Sequence, residues 1–310
     1  MTPIYHKEHP LDRGVMLAVR ALQAVQPKLE FAPESRPAFD ELMEKTPAAK
    51  NVTYEAATVG GVAGWWCRPK QAMVGCAVAY LHGGAYVLGS ARAYLNFVGQ
   101  IADRANASIF IVEYALAPER PFPFALNDAK AVYRGLAETG LRRLAIVGDS
   151  AGGGLALALS ADLSGLEGVD SVPGPVAVAA MSPWTDLDLT GDSINSSAAA
   201  DPLLTRDALA KATKLYLGSH DRRDPKVSPL YGNFKAVPPV LLHVGEAEIL
   251  LDDSRRVAEN IESAGGLAEL HIWAGMTHVF PSNLAFRAAK RALQNVGEFL
   301  QNHLGPGKPQ

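Results

Sequence analysis

The chain has 310 residues, 48% of them hydrophobic and 20% charged, with a formal net charge of −3 at pH 7. The length holds one large α/β domain or two small ones, and the composition is that of an ordinary soluble globular protein. The lysines and arginines are dispersed, so no basic stripe recruits nucleic acid or an anionic membrane. Two cysteines, Cys67 and Cys76, are too few and too close for a disulfide framework or a zinc cluster; two half-buried free thiols in a reduced cytoplasm are expected, with pairing across neighbouring strands left open. Met1 to Pro10 mixes charge, proline and histidine where a signal peptide needs an apolar core, and no apolar run reaches the length of a membrane span.

Apolar residues recur at helical spacing over 11–25, and a second helical stretch follows over about 36–45, both ahead of any strand. Residues 51–58 and 64–68, separated by Gly60-Gly61, predict an antiparallel pair at a sheet edge. Further strands are expected at 77–81, 108–113, 144–147, 176–181, 240–244 and 267–273, most of them nearly continuous in apolar residues. Helical patterns lie between several of them, at 93–105, 124–138, 152–163 and 252–265. This alternation predicts a mostly parallel, eight-stranded sheet with helices on both faces.

The rhythm breaks over 186–231, where no strand appears although a parallel partner is due. The interval is an insertion, and Asp201-Pro202 is expected to cap a helix over 203–217. With the N-terminal helices of residues 1–50 it would form a lid over the carboxyl ends of the strands, where open α/β sheets place their sites. Residues 51–185 and 232–304 would then be the main domain. A last amphipathic helix over about 284–303 precedes a polar tail, 305–310, expected to be disordered.

Gly148-Asp149-Ser150-Ala151-Gly152 is a G-x-S-x-G pentapeptide set between a strand and a helix. On so sharp a turn the Ser150 hydroxyl stands proud of the sheet, and the amide of Ala151 is free to bind an oxyanion. A nucleophilic serine needs a base and a carboxylate to orient it. Of the eight histidines, His278 sits just past the last strand, in Ala274-Gly275-Met276-Thr277-His278, and is the candidate base. His243 and His271 lie within strands as packing residues, and His6, His9, His220 and His303 are expected in solvent. The acid should follow the penultimate strand, where Glu246, Glu248, Asp252 and Asp253 are available. Glu248 is best placed, and Asp252 is its rival at the start of the next helix. His82-Gly83-Gly84-Ala85 follows the strand at 77–81, and the amides of Gly83 and Gly84 would join that of Ala151 in a three-donor oxyanion hole. His82 shapes that loop by hydrogen bonds and transfers no proton.

Together these residues resemble the hormone-sensitive-lipase-like branch of the α/β-hydrolases, the bacterial family IV esterases. The resemblance also takes in Tyr114-Ala115-Leu116-Ala117-Pro118-Glu119 with Phe122-Pro123, and Ser182-Pro183-Trp184-Thr185-Asp186. It implies the α/β-hydrolase fold with a helical cap, a triad of Ser150, Glu248 and His278, and a hole at Gly83, Gly84 and Ala151. It further implies carboxylesterase activity on short- to medium-chain acyl esters, without metal or cofactor, and allows a homodimer. Lactone or amide hydrolysis would use the same machinery, and a non-catalytic receptor of this fold would lack the histidine that is present here. The chain departs from the family pattern at Ala85, where a third glycine is frequent, and at Glu248, where many members have aspartate. Asp149 and Glu119 are expected to serve structure, while Tyr86, Leu88, Trp184 and Leu203 are candidate pocket or cap walls.

Overall fold

A computed structural model describes residues 2–25, 30–164 and 172–305. The tail expected to be disordered lies, beyond Gly305, outside the described residues. In chain order the structure begins with β1 (Ile4–His6), α1 (Pro10–Val25) and α2 (Arg36–Glu44), followed by β2 (Val52–Val59), β3 (Val62–Pro69), β4 (Cys76–Leu81) and α3 (Leu95–Ala105). Next come β5 (Ile109–Val112), α4 (Phe124–Glu138), β6 (Arg143–Asp149), α5 (Ser150–Ser164) and β7 (Ala177–Met181). The short α6 (Ser193–Ser196) and α7 (Arg206–Leu217) precede β8 (Val240–Gly245), α8 (Leu251–Ser263), β9 (Ala268–Trp273) and α9 (Arg287–Leu304).

All strands join one sheet in the order β1-β9-β8-β7-β6-β4-β5-β3-β2. Only β2 with β3 and β3 with β5 pair antiparallel. The central strands are apolar throughout because both faces are covered. Along β4, Ala77, Ala79 and Leu81 face the layer that holds α4, α5 and α8, while Val78 and Tyr80 face the layer of α3 and α9. Because β5 lies between β3 and β4, Cys67 and Cys76 are not on neighbouring strands; both are free and buried, and burial raises both thiol pKa values.

The expected eight strands are joined by a ninth, β1, which pairs parallel with β9 ahead of the first helix. Three residues are too few to carry a period, so long-range contacts define this strand. The His6 ring stacks on Trp273 with centroids 3.7 Å apart, and its Nε2 meets His271 Nδ1 at 2.8 Å. His6, expected in solvent, is therefore part of the sheet edge; burial first, then the nearby His271 and Arg291, pull its pKa down to about 4.

The N-terminal helix α1 docks through Asp12, which is buried and accepts hydrogen bonds from the amides of Arg287 (2.6 Å) and Ala288 (3.1 Å) in the first turn of α9. Those amides have no intrahelical partner, so α1 supplies the cap that α9 lacks locally. Met16 packs beside Trp273, Met276 and Phe280.

The insertion is tied shut at its base by Asp186. This carboxylate accepts from the amides of Asp188 and Thr190, the Thr190 hydroxyl and the Tyr231 hydroxyl, and pairs with Arg256 at 3.0 Å. Burial pushes its pKa up, but these donors outweigh that and hold it below the usual value. Asp201-Pro202 does not cap α7: Thr205 does, accepting from Ala208 N at 3.2 Å. Asp201 instead binds Leu203 N and Leu204 N with one oxygen and Ile249 N with the other, joining the insertion to the loop after β8. No described helix is long and apolar enough to cross a membrane.

Replacing Asp12 by alanine should leave the amides of Arg287 and Ala288 in α9 uncapped and destabilise the protein by about 1–2 kcal/mol. Urea unfolding checks this, and an unchanged midpoint would remove Asp12 from the docking of α1.

Candidate active site

Strand β6 runs directly into α5, and the turn between them forces Ser150 to a φ of 53°. A non-glycine residue there costs on the order of 1–3 kcal/mol, which the surroundings must supply. Close packing does so. A Cβ on Gly152 would collide with the backbone carbonyls of Leu81 and His82, so only glycine lets the first turn of α5 press against the end of β4. The serine carbonyl accepts the amide of Trp184 at 2.9 Å.

The loop after β9 brings His278 over the sheet edge, with Nε2 at 2.9 Å from Ser150 Oγ. Its Nδ1 lies 3.1 Å from Glu248 Oε1. An ionised carboxylate only accepts, so Nδ1 carries the proton and Nε2 is left to accept from the serine hydroxyl. Glu248 is fully buried, and its other oxygen accepts Ser182 Oγ at 2.8 Å and Gly245 N at 2.9 Å. Ser182 Oγ in turn accepts the amide of Val279, next to His278, at 3.0 Å. Burial lowers the pKa of His278, but the bond to Glu248, the charge of Glu248 and the charges of Asp201 and Asp149 outweigh it and raise the net value.

Asp252 is not brought to the histidine. It accepts Ser193 N at 2.8 Å and pairs with Arg255 at 3.3 Å. Asp253 binds Thr185 N and Asp186 N in the buried base of the insertion, where burial drives its pKa up to about 8.

Of the expected oxyanion donors Gly83, Gly84 and Ala151, the first has its amide engaged. The amide of Gly83 does not face the serine; it donates to Asp149 Oδ1 at 3.0 Å. Asp149 is buried beside the nucleophile and also accepts the hydroxyls of Tyr80 (2.7 Å) and Tyr94 (3.2 Å). A carboxylate in that position takes whatever donors reach it, and the nearest backbone donor is Gly83. Burial raises the Asp149 pKa to about 6 against the pull of its donors. The chain then turns sharply, with Gly84 O accepting Val87 N at 3.0 Å and Leu88 N at 2.8 Å. Gly84 has a φ of 112°, and a Cβ there would strike the Leu88 carbonyl. Among the described residues the amides of Gly84 and Ala85 have no hydrogen-bond partner. The amide of Ala151, in the first turn of α5, has no intrahelical one.

His82 is buried within the same loop. Its Nδ1 donates to Gly83 O at 2.7 Å, its ring stacks on Tyr114 at 4.2 Å, and burial lowers its pKa to about 4, leaving it neutral. Glu119 is also structural, held by two bonds from Arg36, which donates as well to Val87 O and Ala117 O. Of the candidate walls, Tyr86, Leu88 and Trp184 are wholly buried, whereas Leu203 lines a cleft of about 690 Å³ with Phe31, Pro118 and Leu215. Among the described residues no group of three His, Cys, Asp or Glu side chains could hold a metal ion. Sequence reasoning missed Ser182 as a partner of the acid, although it lies in a motif run that had already stood out.

The arrangement can deprotonate a hydroxyl and offer free amides to a nearby negative oxygen. Residues 78–282 match a family model described as the alpha/beta hydrolase fold. An acetyl-hydrolase from Streptomyces hygroscopicus is 36% identical over 256 residues, covering 82% of this chain and 84% of its own length. An esterase from Acinetobacter venetianus is 35% identical, covering 88% and 90%. The crystal structure of an esterase from the bacterial hormone-sensitive lipase family superposes with a TM-score of 0.88 at 33% identity, covering 96% of this chain and 99% of that one.

If Glu248 holds up the His278 pKa, Glu248→Gln should lower it, whereas Asp252→Asn should leave it in place. Imidazole NMR titration reads both, and the opposite pattern would restore Asp252 as the partner.

Proposed function

The chain belongs to the hormone-sensitive-lipase-like esterases of the α/β-hydrolase superfamily and is a carboxylic-ester hydrolase, and from that membership we propose that Ser150, His278 and Glu248 perform the reaction through an acyl-enzyme. The observation that carries this reading is the unbroken line from Ser150 Oγ through both ring nitrogens of His278 to a buried carboxylate, at 2.9 and 3.1 Å. Ser150 Oγ attacks the ester carbonyl as His278 Nε2 takes its proton. Glu248 stabilises the imidazolium and keeps the ring in its reactive tautomer.

The carbonyl oxygen gains a negative charge in the tetrahedral intermediate, and the amides of Gly84, Ala85 and Ala151 receive it. Each such donor contributes roughly 100- to 1000-fold in rate. Gly83 is excluded from this role because its amide is engaged by Asp149, which thereby sets the direction of the next two. His278 then returns the proton to the departing alkoxide, and the same cycle with water releases the acid.

The N-terminal helices of residues 1–50 and the 186–231 insertion act as the cap. Arg20 of α1 reaches Ala200 O of the insertion at 3.4 Å, and Phe31 and α7 share the cleft, which supports their working as one cover. The substrates are small esters of short- to medium-chain acids. A relative named acetyl-hydrolase and the Ala85 methyl in place of a frequent third glycine both favour the short end.

Ser150→Ala and His278→Ala should each reduce kcat for p-nitrophenyl butyrate by about 10⁴-fold or more with an unchanged circular dichroism spectrum; substantial remaining turnover would sink the triad. The base works only when neutral, and its folded pKa is raised. Activity should therefore be present at alkaline pH and be lost, as pH falls, through a pKa above 6.5. A limb at or below 5 in kcat/KM would contradict that assignment.

A further inference from the structure

Three consecutive residues of the oxyanion loop have positive φ: Gly84 at 112°, Ala85 at 54° and Tyr86 at 62°. Glycine accepts this region freely, but in alanine and tyrosine the Cβ crowds the backbone, so such a pair persists only where its surroundings enforce it. Backbone bonds enforce part of it. Tyr86 O accepts Ala117 N at 2.8 Å, and Gly84 O closes the turn onto Val87 and Leu88. Those bonds hold carbonyls on the far side of the loop. Among the described residues the amides of Gly84 and Ala85 are left without a partner of their own.

The Gly83 bond to Asp149 restrains the loop on one side, and on the other a further restraint is the Tyr86 side chain, which is buried and lies face to face with Tyr216, ring centroids 3.9 Å apart and planes within 2°. Aromatic pairs left to themselves favour edge-on or more widely offset arrangements. Both rings are therefore held from outside. Tyr216 sits near the end of α7, its carbonyl accepts Phe122 N at 2.9 Å, and the Phe122 ring meets it edge-on. On its other side Tyr86 lies 6.4 Å from Trp184, whose amide binds the carbonyl of Ser150.

The Tyr216 hydroxyl is buried with no hydrogen-bond partner among the described residues. A buried hydroxyl without a partner is unfavourable, so its polar end adds nothing to the fold and the ring is what this position uses. We propose that Tyr216 is a positioning residue: by stacking on Tyr86 it fixes the left-handed loop and aims the amides of Gly84 and Ala85 at the reacting oxygen. The inference rests on the oxyanion role assigned to those amides above. It makes the seating of the insertion on the main domain a condition for catalysis as well as for covering the substrate.

The test is steady-state hydrolysis of p-nitrophenyl butyrate by the full chain and its Tyr216→Phe, Tyr216→Leu, Tyr216→Ala and Ser150→Ala variants, together with inhibition by an alkyl trifluoromethyl ketone. That inhibitor forms a tetrahedral adduct whose oxyanion needs the same amides. Tyr216→Phe should match the parent in both readouts. Tyr216→Leu and Tyr216→Ala should lose about 10- to 100-fold in kcat and a similar factor in inhibitor affinity, with KM within about threefold. Should Tyr216→Ala fail to fold, Tyr216→Leu carries the comparison. Unchanged kcat in the leucine variant, a loss confined to KM, or equal losses in the phenylalanine and leucine variants would overturn the proposal. A fully active Ser150→Ala would instead overturn the triad, so the two failures are distinguishable.

Discussion

A carboxylate removed from water must have its oxygens satisfied, and in this protein that requirement on Glu248 organises the site. A buried ion left unpaired is far more costly than any single contact in the fold can offset. Glu248 meets the demand with three donors drawn from three segments: the ring of His278 after β9, the hydroxyl of Ser182 after β7 and the amide of Gly245 at the end of β8. Removing any of them leaves the others pointing at an underserved charge. The loop ends of three strands are thereby fixed relative to one another, and the base is delivered to Ser150 in a single tautomer.

Asp149 repeats the logic on the other side of the nucleophile. Its donors come from β4, from the segment before α3 and from the oxyanion loop. Where Glu248 orients the His278 ring, Asp149 orients the glycine loop by engaging the Gly83 amide. The insertion uses the same device at Asp186, whose donors include both of its own ends and Arg256 of α8. Buried acids serve as the fasteners of this fold, each placed where an otherwise irregular loop must keep one shape.

The central strands were legible because parallel strands buried on both faces read as unbroken apolar runs. Strand β1 was not, since three residues have no period and its place depends on a ring stack with Trp273, 267 positions further on. Ser150 and His278 stand out in the sequence because each sits in a short local signature at the end of a strand, and the fold brings them within 2.9 Å. That the Gly83 amide turns to Asp149 was not legible, because successive amides point in different directions and which one meets a neighbouring carboxylate is decided by tertiary packing. Ser182 was hidden for the same reason: a serine in a Ser-Pro turn resembles many others until the buried oxygen above it is in view. Glu248 and Asp252 could not be told apart by spacing, because only tertiary packing sets one carboxylate against His278 and the other against the amide of Ser193.

The central claim is that hydrolysis proceeds through an ester of Ser150, and trapping that ester tests it most directly. Acid quenching during turnover of p-nitrophenyl butyrate, followed by proteolysis and peptide mass spectrometry, would locate any butyryl group. The account predicts a single butyryl group on the peptide containing Ser150, and none on that peptide in the Ser150→Ala variant. A butyryl group on another residue, or steady turnover with none on Ser150, would contradict it.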